Sequence, residues 1–211
     1  SSVPPLKKVV KAADEQYVYG VRDGGTRIWK VSSYDGSFVA KSDAGTFANL
    51  QSIATDGAGN LYVLDRQTTS AAGSYVYKIA TSALSTKVET FGLPVTYPGP
   101  SGTNYTDIEY TNPSSTKYIW VAAHWDGIIS GGVNDQLLWN FVDDGTSETK
   151  ALTNRMPRLT GVSAVSGSTV LGTWVNVVVE SGTVNSGHFS DTPTRIAETY
   201  PRSLVKHPSD G

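Results

Sequence analysis

Ile53-Ala54-Thr55-Asp56-Gly57-Ala58-Gly59-Asn60-Leu61-Tyr62-Val63-Leu64 is the stretch on which the fold turns. Apolar and polar residues alternate on either side of a short polar segment holding Gly57 and Gly59, the pattern of two half-buried strands joined by a tight turn. Glycine supplies backbone angles that other residues avoid, and Asp and Asn bond to nearby main-chain groups, so the segment predicts a β-hairpin.

Working outward, Tyr75-Val76-Tyr77-Lys78-Ile79, a small-residue turn and Thr86-Lys87-Val88 complete a unit of short strands. The same order runs upstream in Tyr17-Val18-Tyr19-Gly20-Val21, Arg27-Ile28-Trp29-Lys30-Val31, a turn at Asp35-Gly36, and Ser37-Phe38-Val39. Trp29-Lys30-Val31 and Tyr77-Lys78-Ile79 repeat one motif. A third unit comprises Asp107-Ile108-Glu109-Tyr110, a turn at Asn112 to Ser115, Lys117 to Val121, Leu137 to Phe141 and a turn at Asp143-Asp144-Gly145. The fourth is fainter: Gly161 to Val165, Thr169 to Trp174, and Val175 to Glu180. Units therefore start near residues 9, 50, 105 and 159 (9–48, 50–98, 105–152 and 159–200), within a single domain over 1–200. The tail 201–211, with prolines at 201 and 208, is expected to drape over the surface or make an intermolecular contact.

A single four-stranded sheet cannot bury both of its faces, so a row of such units predicts stacking. The expected fold is all-β, a β-propeller-like array of about four four-stranded antiparallel sheets. The alternatives, a β-sandwich or barrel, or part of a larger propeller, resolve the exposed strand edges differently. Trp29, Tyr77 and Trp139 recur at one place in the unit and are expected between adjacent sheets, where each ring buries about 150–250 Å².

Composition agrees. Glycine at 21, with 11 tyrosines, 5 tryptophans and one methionine, suits strands and tight turns and leaves little room for helix. Lysine plus arginine is 17 against 19 for aspartate plus glutamate, a formal net charge of −2 with no run of like charges. Nucleic acid is therefore not an expected partner, because phosphate binding needs a concentrated basic footprint. With no cysteine, disulfides, thiolate metal sites and a cysteine nucleophile are excluded together. No apolar run reaches the roughly 18 residues of a membrane-spanning helix. Beginning at Ser1 without a signal-type apolar segment, the sequence reads as a mature form, a cleaved piece or an excised domain.

Thr55-Asp56-Gly57-Ala58-Gly59-Asn60-Leu61-Tyr62-Val63 resembles the phrase of NHL-type and gluconolactonase-like propeller blades. The full phrase covers one unit; the other three keep the strand order and lose the wording. The resemblance implies a propeller, generally of more blades than the four or so present here. A gluconolactonase-like enzyme would hold one divalent metal on the central axis through an acidic residue and Asn/Asp groups from several blades. Asp65, Asp126 and Asn176 are the positions that match that part, whereas no early acidic residue stands clearly at that end.

In a propeller the loops after the second strands carry the variable chemistry. Here they hold Arg22 and Asp23, then Asp65 and Arg66, then His124, Trp125 and Asp126, then Trp174 and Asn176. Converged at one end, these would form a polar pocket with aromatic platforms suited to a sugar or a peptide. The competing explanation is turn residues and local ion pairs worth about 0–1 kcal/mol each. His124-Trp125-Asp126-Gly127 is the densest cluster, able to supply a base, a metal ligand or a partner contact; His124 and Asp126 share a face if the strand continues that far. His188 and His207 lie elsewhere, and no histidine pair has metal-ligand spacing. Gly161-Val162-Ser163-Ala164-Val165 lacks the second glycine of a nucleophile elbow. Asp143-Asp144-Gly145 with Glu148 offers oxygens for calcium without the EF-hand spacing, and is expected to be a hairpin turn. Gly92 to Gly102, rich in proline and glycine, is expected to be an exposed loop, with the Asn104-Tyr105-Thr106 glycosylation sequon in the same loop.

The expected function is a non-enzymatic binding module, extracellular or on a particle surface, that takes a glycan or protein ligand. The alternatives are a structural subunit of a larger assembly, such as a virus particle or multi-chain propeller, pairing with other copies or a partner chain, and a metal-dependent lactonase-type hydrolase. No cofactor is expected, with a divalent metal such as calcium as the alternative.

Overall fold

The computed structural model describes residues 2–11, 16–66, 73–93, 103–112, 117–129, 133–145, 154–156, 159–166, 169–174, 178–183 and 194–198. These are all-β, with no helix among the described residues, and hence none long and apolar enough to cross a membrane. Among the described residues, sixteen strands form four sheets, each a four-stranded antiparallel meander in chain order. The sheets gather into two compact units, one of residues Ser1–Leu93 with Gly145–Thr149 and the other of Pro94–Asp144 with Lys150–Gly211.

In the first unit, sheet I comprises β1 (Lys8–Lys11), β2 (Tyr17–Val21), β3 (Ile28–Ser32) and β4 (Phe38–Lys41). Sheet II comprises β5 (Leu50–Thr55), β6 (Asn60–Asp65), β7 (Ser74–Ala80) and β8 (Lys87–Leu93). The first strand of sheet II, β5, lies against β1 and β2 of sheet I. Strand alternation then decides what each face meets. Tyr19 and Val21 of β2 and Ile28 of β3 share a cluster with Ile53, Leu61, Val63, Tyr77 and Ile79 of sheet II. Phe47, from the connection between the sheets, tilts over the Tyr77 ring with centroids 6.0 Å apart. Burial here pushes the Tyr77 phenol up to about 12, with the negative charge of Asp65 adding to the effect.

The register explains the repeated motif. Trp29 pairs with Gly20, so it stands on the face of sheet I turned away from sheet II, whereas Tyr77 pairs with Val63 on the face turned toward sheet I. Stacked sheets of one build put these two faces in equivalent places, so the rings occupy corresponding positions. Their settings differ because Tyr77 is covered by its neighbour, at 6% exposed, while Trp29 is half-buried. Sheet II is buried on its second face too, where Ala54, Tyr62, Leu64, Val76 and Phe91 are all fully covered. The Trp139 side chain lies outside the described residues.

In the second unit, sheet III comprises β9 (Thr103–Thr111), β10 (Tyr118–Ile129), β11 (Val133–Val142) and β12 (Asn154–Met156). Sheet IV comprises β13 (Leu159–Ser166), β14 (Thr169–Trp174), β15 (Val178–Thr183) and β16 (Thr194–Glu198). The first strand of sheet IV, β13, lies against β9 and β10, repeating the arrangement of the first unit. Tyr105, Ile108, Ile119, Trp120 and Val121 are buried here. The Asp143 N–H donates to Lys117 O at 2.9 Å, closing the end of the β10–β11 pair, and the chain bends at Asp144 and Gly145; residues 146–153, which would complete the expected hairpin turn, lie outside the described residues.

Three sequence expectations change. Trp29, expected in the core between adjacent sheets, stands on the face of sheet I turned away from sheet II and is only half-buried. Asn104-Tyr105-Thr106 lies in β9 rather than in a loop, with Tyr105 buried, because the strand begins at Thr103. The sequence around His124 also forms strand, and β10 runs through to Ile129. Residues 94–102, most of the expected proline-rich loop, and the tail 201–211 lie outside the described residues.

Candidate functional site

The site that the described residues build lies at the β2–β3 loop of sheet I. β2 ends at Val21, and the chain turns through Arg22-Asp23-Gly24-Gly25-Thr26-Arg27 before β3. Gly24 sits at φ +64°, left-handed backbone that favours glycine. At Gly25 a side chain would bring a Cβ to 2.9 Å from Arg22 O. The loop is not loose: the Gly24 N–H donates to Leu50 O at 3.0 Å, and the Leu50 N–H donates to Gly25 O at 2.7 Å, stitching it to the first strand of sheet II.

Leu50 is itself held from behind. Asp65, 1% exposed at the end of β6, accepts the Ala48 N–H at 3.0 Å and the Asn49 N–H at 2.7 Å. Asn49 Oδ1 accepts from Gln51 Nε2 at 2.7 Å, and Asn49 O accepts the Arg66 N–H at 3.0 Å. A buried carboxylate thus fixes the segment that fixes the loop. Asp65, expected among the ligand groups, acts through backbone because its charge is turned into the fold.

A cleft of about 460 Å³ opens beside this loop. Ser2 and Pro4 line one side; Arg22, Asp23, Thr26, Arg27 and Trp29 line the rest. Arg27 is braced by donating from Nη1 to Ser42 O at 3.2 Å, and Ser42 is in turn tied to Ile28 by two hydrogen bonds of 3.0 Å. Asp23 pairs with Lys7 at 3.2 Å across the exposed rim. The Trp29 ring meets Phe38 edge-on at 6.0 Å, with Lys41 Nζ 5.2 Å from its centroid. Chemically the cleft offers guanidinium donors and one carboxylate acceptor on a pinned loop, beside the aromatic surface of Trp29 in β3, a set suited to holding a polar ring.

Of the expected loop residues, Arg22 and Asp23 line this cleft, while Asp65 and Arg66 stand at the end of the adjacent sheet. His124, Trp125 and Asp126 lie within β10, where His124 is opposite Asn104 and Gln136, and Trp125 opposite Thr103. A register shift between His124 and Ile128 marks an irregularity in the β10–β11 pairing at this cluster. Trp174 is the last residue of β14. The side chains of these four lie outside the described residues, as does Asn176 altogether. Arg27 and Trp29 are the residues sequence reasoning missed: Arg27 reads as the start of a strand, and Trp29 as core. The usable signal was Gly24-Gly25, a pair that marks unusual backbone directly after two charged residues.

No family model and no curated protein sequence matches the chain. Among solved structures it is similar to the hydrazine synthase of Kuenenia stuttgartiensis, at 14% identity and a TM-score of 0.55, over 93% of this chain and 51% of that one. The chain thus spans about half the length of that protein, and at this identity the likeness shows the fold alone: an all-β, propeller-like arrangement of four-stranded sheets.

Proposed function

We propose that the chain is a non-enzymatic recognition module that holds a glycan in the cleft beside the β2–β3 loop. The observation that carries this is a half-buried Trp29, near the start of β3, lining one cleft with Arg22, Asp23 and Arg27 of a loop pinned through Gly25 and Leu50. Sugars present apolar C–H faces and a rim of hydroxyls, which match an aromatic plane bordered by charged donors and an acceptor. A pinned loop lowers the ordering cost of binding. Lactonase-type chemistry fits less well at Asp65, one of its three candidate positions, which is buried with both oxygens accepting backbone N–H groups. An immobilised glycan array is the test, with Trp29→Ala and Arg22→Ala each expected to weaken whatever binds by about tenfold or more. Retention of no saccharide at all by the folded protein would defeat the proposal.

A second role, as a structural subunit that pairs with another copy, is favoured by a separate observation. The outer face of sheet I carries Val9, 51% exposed, with half-buried Leu6, Val18, Trp29 and Phe38. The mass of the chain in solution tests it.

A further inference from the structure

We infer that the saccharide taken by this cleft is anionic, its carboxylate or sulfate group held by Arg22 and Arg27 while its ring lies against Trp29. This deepens the glycan-binding proposal and rests on it. The chain as a whole is acidic, with a formal net charge of −2. Around the cleft the balance reverses. Arg22 and Arg27 line it, Lys7 stands at the rim against Asp23, and Lys41 lies 5.2 Å from the centroid of Trp29. Among the described lining residues that leaves two guanidinium groups against one carboxylate, and the carboxylate is already engaged by Lys7 at 3.2 Å.

The two arginines are not alike. Arg27 spends one Nη1 donor on Ser42 O at 3.2 Å, a contact that sets its direction. Arg22 is exposed, its backbone carbonyl held by the Gly25 N–H at 2.9 Å so that its base, not its head group, is fixed. A guanidinium carries five N–H donors in a planar fork that matches a carboxylate or sulfate edge, which a neutral hydroxyl cannot engage in the same two-pronged way. A neutral sugar would leave these cations with only hydroxyl partners. An anionic one gains charge-assisted hydrogen bonds and is drawn in by the local field.

The test is calorimetric titration of the intact chain with three probes: an oligogalacturonate, a sulfated heparin fragment of similar length, and a neutral cello-oligosaccharide. The expected result is an affinity for at least one acidic probe about tenfold or more above that for the neutral one. That preference should decline as salt is raised, be lost in Arg22→Ala, and be partly restored in Arg22→Lys. Which acidic probe binds distinguishes carboxylate from sulfate recognition. Equal binding of the neutral and acidic probes overturns the inference and leaves glycan recognition standing. Binding of none of them, by a chain whose thermal unfolding shows it to be folded, also overturns the inference, while glycan recognition itself falls only if the array retains no saccharide.

Discussion

Asp65 turns its charge inward, and that one orientation organises the loop region. An Asp-Arg pair at a strand end reads the same whether the carboxylate faces solvent or backbone. The partners that settle the matter, Ala48 and Asn49, lie seventeen and sixteen residues earlier in the chain. Local sequence rules do not reach that far. Arg22 and Asp23, by contrast, are legible as loop residues because Gly24-Gly25 beside them announces the turn. Replacing Asp65 by Ala leaves the Asn49 N–H buried without its acceptor, whereas the Ala48 N–H, on an exposed residue, can turn to water. Loss of a charge-assisted bond together with desolvation of a stranded donor predicts a destabilisation of about 2–3 kcal/mol in urea unfolding. Arg22→Ala, at an exposed side chain, should stay within about 0.5 kcal/mol of the parent. Equal stability of Asp65→Ala and the parent would show that the carboxylate does not hold the Leu50 segment.

Among elements, the β5–β6 hairpin was the most readable because its bonds are local. Asp56 Oδ1 accepts the Ala58 N–H at 2.7 Å and the Asn60 N–H at 2.9 Å. Thr55 Oγ1 donates to Asn60 O at 3.0 Å and accepts the Gly57 N–H at 3.1 Å. Every partner lies within five residues, so turn chemistry alone specifies the shape. β10 was read too short for the opposite reason. His124, Asp126 and Gly127 look like loop residues, yet pairing with β9 and β11 carries the strand past them, and tertiary pairing outweighs local preference. The hairpin supplies a clean measurement. Gly57 sits at φ +67° with no heavy atom within 4 Å of where a Cβ would stand. Gly57→Ala therefore meets no clash, and its cost is conformational, about 1 kcal/mol. The urea midpoint should fall with an unchanged slope; an unshifted midpoint would mean that the turn does not hold this backbone in solution.

At the scale of the molecule, the repeat was legible as strand order, but not which sheet faces are covered. Alternation marks two sides of a strand without saying what lies opposite either of them, which is why Trp29 and Tyr77 look alike in sequence and differ in burial. Tyr77 shows what its face needs: a neighbouring sheet that contributes Tyr19, Val21 and Ile28. Trp29 stands on the corresponding face of sheet I, where Leu6 and Val9 close over Gly20 and Val9 stays half in water. A face built like one that is covered by a sheet, and apolar across Val9, Val18 and Phe38, gains free energy when a second copy of the chain covers it. Light scattering should then give a mass that rises with concentration toward that of a dimer. Val9→Lys should return it to a monomer without loss of cooperative unfolding, because Val9 is a surface side chain whose replacement disturbs little of the core. Glycan binding at the cleft should survive Val9→Lys, since Val9 does not line it. A constant monomer mass at high concentration would show that this face is stable in water and that the chain acts singly.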